Sequence, residues 1–308
     1  MSISPCNIAA RVTAVAVLLL AVGGYGSREE EPPPRVILIA IDGATWDVIE
    51  PMIDAGKLPN FEKLVREGST GITESISKPQ TYQSAALWTT VATGKHPEEH
   101  GILANSIDGK PPTSNMRRVP ALWNIASFHG RSVGVVGYYV SWPPEPVDGF
   151  VISDRGWAES EPALPAGILE EIGAGDFWVW RPDSAQNREE MKRFIDFEFD
   201  PAFSKRPRFT FEWYRQFLVA KRLHWVYPRD ASYAQIGLRL LQREHPDFFA
   251  IYFRGIDFVS HAFWMYHRPD AEGYHPRAQG CLTPAMLESL GGIIGEYYAF
   301  QDELLDYF

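Results

Sequence analysis

The sequence predicts an α/β fold built on a mostly parallel central sheet flanked by helices. Three observations lead there. Short continuous apolar runs recur at residues 36–41, 132–140 and 248–253, helical periodicity lies between them, and turn or cap residues stand at the joints.

The elements follow in chain order. Val36-Ile-Leu-Ile-Ala-Ile41 is uninterrupted and apolar, the pattern of a strand buried on both faces, and Asp42-Gly43 ends it. A helical pattern follows from Thr45 to Ala55. Asn60 is a good N-cap for the next helix, with Phe61, Leu64 and Val65 on one face and Gly68 as a stop. Another helix begins near Ser84 and runs through Ala92. Ser132 to Val140 is the second strand. Asp230 caps a helix from Ala231 to Arg243, and Phe248 to Phe253 is the third strand. Residues 156–228 are rich in Trp, Phe, Pro and charge, with poor periodicity. They read as a cap insertion over one end of the sheet, where open α/β folds place ligands, or as ordinary surface helices and loops.

Composition narrows the function. The 308 residues are 45% hydrophobic and 22% charged, which is globular. A formal net charge of -10 without a basic stripe argues against a nucleic-acid polymer. A free nucleotide stays open, because a bound metal can supply the missing positive charge. Cys6 and Cys281 suggest neither a disulfide framework nor a zinc ribbon. Residues 1–27 read as a signal segment. Arg11 precedes the apolar run Val12 to Val22, which is too short to span a bilayer comfortably, and small residues follow. Leu20-Ala-Val-Gly-Gly-Tyr25 resembles a bacterial lipoprotein signal with Tyr25 where the lipidated cysteine would stand. The expectation is an exported protein, periplasmic or attached to the membrane by this segment; the alternatives are a buried helix or a weak anchor. Residues 28–34, with Glu29 to Pro34, form a stiff solvated linker.

Three segments could carry chemistry. Asp42 ends a buried strand, where α/β enzymes keep metals and catalytic groups; its ordinary reading is a turn-forming Asp-Gly. Ser84 opens a helix, where unpaired N–H groups and the macrodipole favour an alkoxide or a phosphate. Its ordinary reading is an N-cap, and Thr81 is a rival hydroxyl. Asp257-Phe-Val-Ser-His261 puts carboxylate and imidazole on one face if helical, a donor set suited to zinc, manganese or iron; its ordinary reading is a surface pair. Two look-alikes fail. Gly130-Arg-Ser-Val-Gly134 precedes a strand, whereas a nucleophile elbow follows one. Ser153-Asp-Arg-Gly156 resembles a metal-binding Ser-Asp-His-Gly, but Arg155 cannot ligate a cation.

Taken together, these segments resemble the alkaline phosphatase superfamily, specifically its type I phosphodiesterase/nucleotide pyrophosphatase branch. The likeness lies in Val36 to Gly43 with Leu58-Pro-Asn-Phe61, in Ser84 through Thr93-Gly-Lys-His-Pro-Glu-Glu-His-Gly-Ile102, and in Tyr252 to His261. Trp142-Pro-Pro-Glu-Pro146 with Gly149-Phe150 is a weaker match. The resemblance implies an alkaline-phosphatase-like domain over residues 35–308 and two divalent metal ions, zinc or alternatively manganese. It makes Asp42 and Ser84 ligands of one metal, and Asp257 and His261 ligands of the other. Ser84 becomes the nucleophile and Asn105 a donor to a phosphoryl oxygen, whose ordinary reading is a turn-forming loop residue. His100 is structural.

The implied activity is metal-dependent hydrolysis of a small phosphoester, a diester or nucleotide pyrophosphate, through a phosphoryl-serine. Alternatives within the superfamily are phosphomonoester, phosphonate or sulfate ester hydrolysis. The family pattern also has a later Asp-His pair and a third histidine, and neither is found; His267 and His275 lack the context. The expectation is therefore a chain missing its C-terminal part, with an inactive fragment or binding pseudoenzyme as the remaining alternative.

Overall fold

The computed structural model describes residues 35–76, 82–156, 161–174, 226–269, 282 and 284–308. The signal and linker segments, Thr81, Cys6, Cys281, His275 and most of 156–228 lie outside the described residues. None of the described helices is long and apolar enough to cross a membrane.

The three apolar runs become neighbours in one sheet. β1 (Val36–Ile41), β2 (Val133–Val136), β3 (Gly149–Ile152), β4 (Ala163–Leu164) and β5 (Phe248–Phe253) are ordered β1-β5-β2-β3-β4. The first four in that order run parallel and β4 closes the edge antiparallel to β3. Strand ends therefore gather on one rim: Ile41 pairs with Phe253, and Val136 pairs with both Ile251 and Ile152.

Side-chain alternation along β5 sends successive residues to opposite faces. Ala250 and Tyr252 face α3 (Ser84–Thr93) and α5 (Leu122–Phe128), packing with Ala40, Ala85, Trp123 and Tyr138. Phe249, Ile251 and Phe253 face the other layer, formed by α1 (Trp46–Asp54), α7 (Val226–Glu244), α8 (Gly255–His267) and α10 (Ile293–Leu305). Phe249 and Phe253 are fully buried, and each such ring stabilises the domain by about 1.5–3 kcal/mol. Helices on both faces explain why β5 is apolar throughout. The remaining helices are α2 (Pro59–Glu67), α4 (Pro97–His100), α6 (Ile168–Glu171) and α9 (Pro284–Leu290). In the expected cap insertion, only Gly156, β4, α6 with their flanks, and the first residues of α7 are described.

Three local expectations need correction. The second strand is shorter than 132–140, because Gly137 turns left-handed (φ +64°) at its end, against the ring of Tyr233. Asn60 is not the N-cap of α2, which starts at Pro59. The donors at its start are capped by Asp302 of α10, whose carboxylate accepts from Asn60 N at 3.0 Å and Phe61 N at 2.8 Å. Asp230 does not cap α7 but lies inside it. Its carboxylate accepts from Arg254 N at 3.2 Å and Gly255 N at 2.8 Å, so it caps α8 instead.

Candidate active site

The carboxyl rim of the sheet collects most of the candidate residues. Asp42 follows β1 directly, and its N–H continues the ladder to Phe253 O at 2.9 Å. Its carboxylate is buried and accepts from Tyr252 Oη at 2.7 Å. Burial and the neighbouring Asp42 charge push the Tyr252 hydroxyl well above its ordinary range, so it stays a donor. Asp42-Gly43 is a turn, as its ordinary reading held, but a constrained one. Gly43 has φ +77°, and a Cβ there would stand 2.6 Å from Asp257 Cα. Only glycine lets the turn after β1 press against the first turn of α8.

That close approach brings Asp257 to Asp42. Asp257 and His261 do lie on one helix, with His261 Nε2 at 3.3 Å from Asp257 Oδ1. Asp257 is mostly shielded while His261 points outward, with side-chain exposures of 21% and 76%. Burial first, and Asp42 next, push the Asp257 carboxyl above the ordinary aspartate range. A buried carboxyl whose ionisation is disfavoured by a neighbouring carboxylate is a place where a divalent cation is welcome.

The donor chemistry, two hard carboxylates and an imidazole, fits zinc or manganese. Among the described residues, however, no three His, Cys, Asp or Glu side chains converge on one point. Asp42, Asp257 and His261 are therefore near neighbours of suitable type that do not form such a three-residue group.

Ser84 is the first residue of α3; Gln83 holds the cap position. The ordinary reading of Ser84 as N-cap therefore does not apply, and its Oγ makes no hydrogen bond to a described residue. Asn105 sits at the same helix start. Its Oδ1 accepts from Ala85 N at 2.8 Å and its N donates to Gln83 Oε1 at 2.8 Å. With Oδ1 bound inward, its amide Nδ2 has no partner among the described residues and can donate to a ligand. One turn beyond Ser84, Trp88 packs edge-on against Tyr252 with centroids 5.1 Å apart. A run of contacts therefore joins the serine-bearing helix to the tyrosine that holds Asp42.

His100 is structural, as expected. It is fully buried, accepts from Ile102 N through Nδ1 at 3.1 Å, and lies 3.1 Å from Thr90 Oγ1 through Nε2. Asp154, in the rejected Ser-Asp-Arg-Gly segment, stands two residues past the end of β3 on the same rim. Its carboxylate takes the amides of Val140 at 3.3 Å, Ser141 at 3.2 Å and Trp142 at 3.1 Å. It ties the β2 end to the β3 end and leaves little room for a metal. His267 lies 3.1 Å from Gly291 O through its Nδ1.

The sequence reading missed Tyr252, Gln83 and Arg254 as parts of the site. Tyr252 and Arg254 lie within a block already singled out. Their faces become visible only once the sheet order is known.

A family model described as type I phosphodiesterase / nucleotide pyrophosphatase matches residues 36–307. No curated protein matches the chain significantly. Two solved structures of phosphonoacetate hydrolase from Sinorhizobium meliloti 1021 are similar. The complex with phosphonoacetate is 14% identical with a TM-score of 0.42, covering 89% of this chain and 52% of that one. The complex with phosphonoformate is 15% identical with a TM-score of 0.41, covering 88% and 54%. The chain spans about half the length of these structures.

Proposed function

The chain belongs to the type I phosphodiesterase/nucleotide pyrophosphatase family, and from that premise we propose that it serves the hydrolysis of a small phosphodiester or nucleotide pyrophosphate through a phosphoryl-serine on Ser84. The carrying observation is the pairing of Asp42 with Asp257 at one rim, joined through Tyr252 and Trp88 to a helix that opens on an unengaged serine.

In this reading Asp42, Asp257 and His261 hold divalent cations. A bound cation would lower the pKa of the hydroxyl and neutralise charge on the leaving oxygen. The remaining work falls to the chain's own groups. Ser84 Oγ forms a bond to phosphorus as the bond to the leaving oxygen breaks, and water then cleaves the phosphoryl-serine to restore the hydroxyl. Asn105, anchored through Oδ1, donates its amide to a non-bridging oxygen. Tyr252 fixes the Asp42 carboxylate in one orientation. Export of the protein, through residues 1–27, belongs to the same proposal.

The test is turnover of a chromogenic phosphodiester with zinc or manganese supplied. Ser84→Ala should lower turnover by on the order of a thousandfold or more, as loss of a nucleophile does elsewhere. Turnover by the variant equal to the unaltered chain would exclude Ser84 as nucleophile. The lack of a three-residue metal-binding group among the described residues favours a second reading, a chain that binds phosphoesters without cleaving them. Phosphate binding with no turnover in either metal would select it.

A further inference from the structure

Arg254 stands between β5 and α8 on the same rim, and its cation is not accounted for by the roles above. Its guanidinium plane is fixed by aromatic rings: Cζ lies 4.3 Å from the Tyr139 centroid and 4.8 Å from that of Phe258. Nη2 donates to Tyr139 Oη at 3.1 Å, and the backbone N–H is held by Asp230 at 3.2 Å. Tyr139 is itself stacked on Tyr252, the partner of Asp42. So Tyr139 and Phe258 clamp the side chain, and Asp230 fixes the backbone that carries it.

Its polar bonds, in contrast, are incomplete. Among the described residues Arg254 forms no ion pair, although Asp42 and Asp154 both lie within electrostatic reach. Nε is sealed from solvent without a partner. Nη1 has no partner either and is not sealed, so this end of the guanidinium keeps a donor to spare. A cation drawn out of water normally finds an anion, because desolvation without pairing is costly. Arginine's planar donors match phosphate oxygens, and the aromatic clamp orients them beforehand.

We infer that Arg254 is a substrate-positioning residue whose spare guanidinium donor binds a phosphoryl oxygen at the Asp42/Asp257 rim. The inference rests on the phosphoester reading of that site, but its test reads binding rather than turnover. A chain that binds phosphate through Arg254 and cleaves nothing would sink only the hydrolase reading.

The experiment is calorimetric titration of the full chain with inorganic phosphate, in manganese buffer and again in EDTA. Arg254→Met should weaken binding about tenfold or more, as loss of a charged hydrogen bond does. Arg254→Lys, which keeps the charge but not the fork, should weaken it by less. Lys95→Met, on the surface, should bind like the unaltered chain. No phosphate binding by the unaltered chain in either buffer overturns the inference, as does equal binding by the Met variant. If the Met variant fails to melt cooperatively, the Lys variant decides, and unchanged binding there overturns it.

Discussion

Asp42 and Asp154 both follow parallel strands at the same rim, and both are buried. Asp154 is surrounded by backbone N–H groups of Val140, Ser141 and Trp142, which hold the end of β2 against the end of β3. Asp42 has one side-chain donor, Tyr252, and a second carboxylate for a neighbour. The first environment consumes the carboxylate's lone pairs in folding. The second leaves lone pairs for a ligand and sets two carboxylates near each other, a repulsion that His261 and Arg254 offset only in part. Position at a strand end therefore does not make a site; the local supply of backbone donors decides.

Substitutions at the two aspartates should show opposite profiles. Asp42→Asn keeps an acceptor for Tyr252, so melting should change little. Turnover of a phosphodiester should fall by on the order of a thousandfold, a loss comparable to removing a catalytic group. An active Asp42→Asn chain would erase the contrast.

Asp154→Ala should lower stability by about 3 kcal/mol in denaturant titration, since it strands several buried amides at once. Activity measured below the melting range should be nearly unaffected. The pH response sharpens this. Burial raises the Asp154 carboxyl above its ordinary range despite the nearby Arg155 and Arg229. The folded state therefore holds that proton more tightly than the unfolded chain. The resulting stability is fully present below the unfolded aspartate pKa and is lost as pH rises through the raised folded value. Asp154→Asn should flatten that decline, and an unchanged slope would assign it to another group.

Gly43→Ala tests whether the Asp42 side depends on close approach to α8. The left-handed φ and the 2.6 Å clash with Asp257 Cα predict a loss of about 2 kcal/mol, with weakened metal binding by calorimetry. A stable variant with normal metal binding would show that the two carboxylates need not be held so tightly. The smallest effect belongs to Asp302→Ala, whose carboxylate binds the start of α2. Removing the cap of α2 should cost about 1 kcal/mol and leave metal binding unchanged.

Much of this arrangement is legible in the chain. The runs at 36–41 and 248–253 match β1 and β5 to the residue, because a strand covered on both faces needs uninterrupted apolar side chains. Ser84 does open a helix, and Asp257 and His261 share a helical face at the expected spacing. Helix caps are harder to read. The sequence offers Asn60 and Asp230 as local caps by type, yet Asp302 caps α2 from 241 and 242 positions away. Asp230 caps α8, 24 and 25 positions ahead of it.

The sequence alone determined the sheet's main strands, the Asp-Gly turn, the Asp257/His261 pair and the family likeness. These depend on periodicity, residue type and short spacing, all of which are local. Tertiary structure decided which carboxylates are bound by backbone donors, which helix each aspartate caps, and that Arg254 reaches the rim clamped by Tyr139 and Phe258 without an ion pair among the described residues. Those outcomes depend on strand order and on which faces meet, so chemically identical side chains acquire different roles only after the chain has packed.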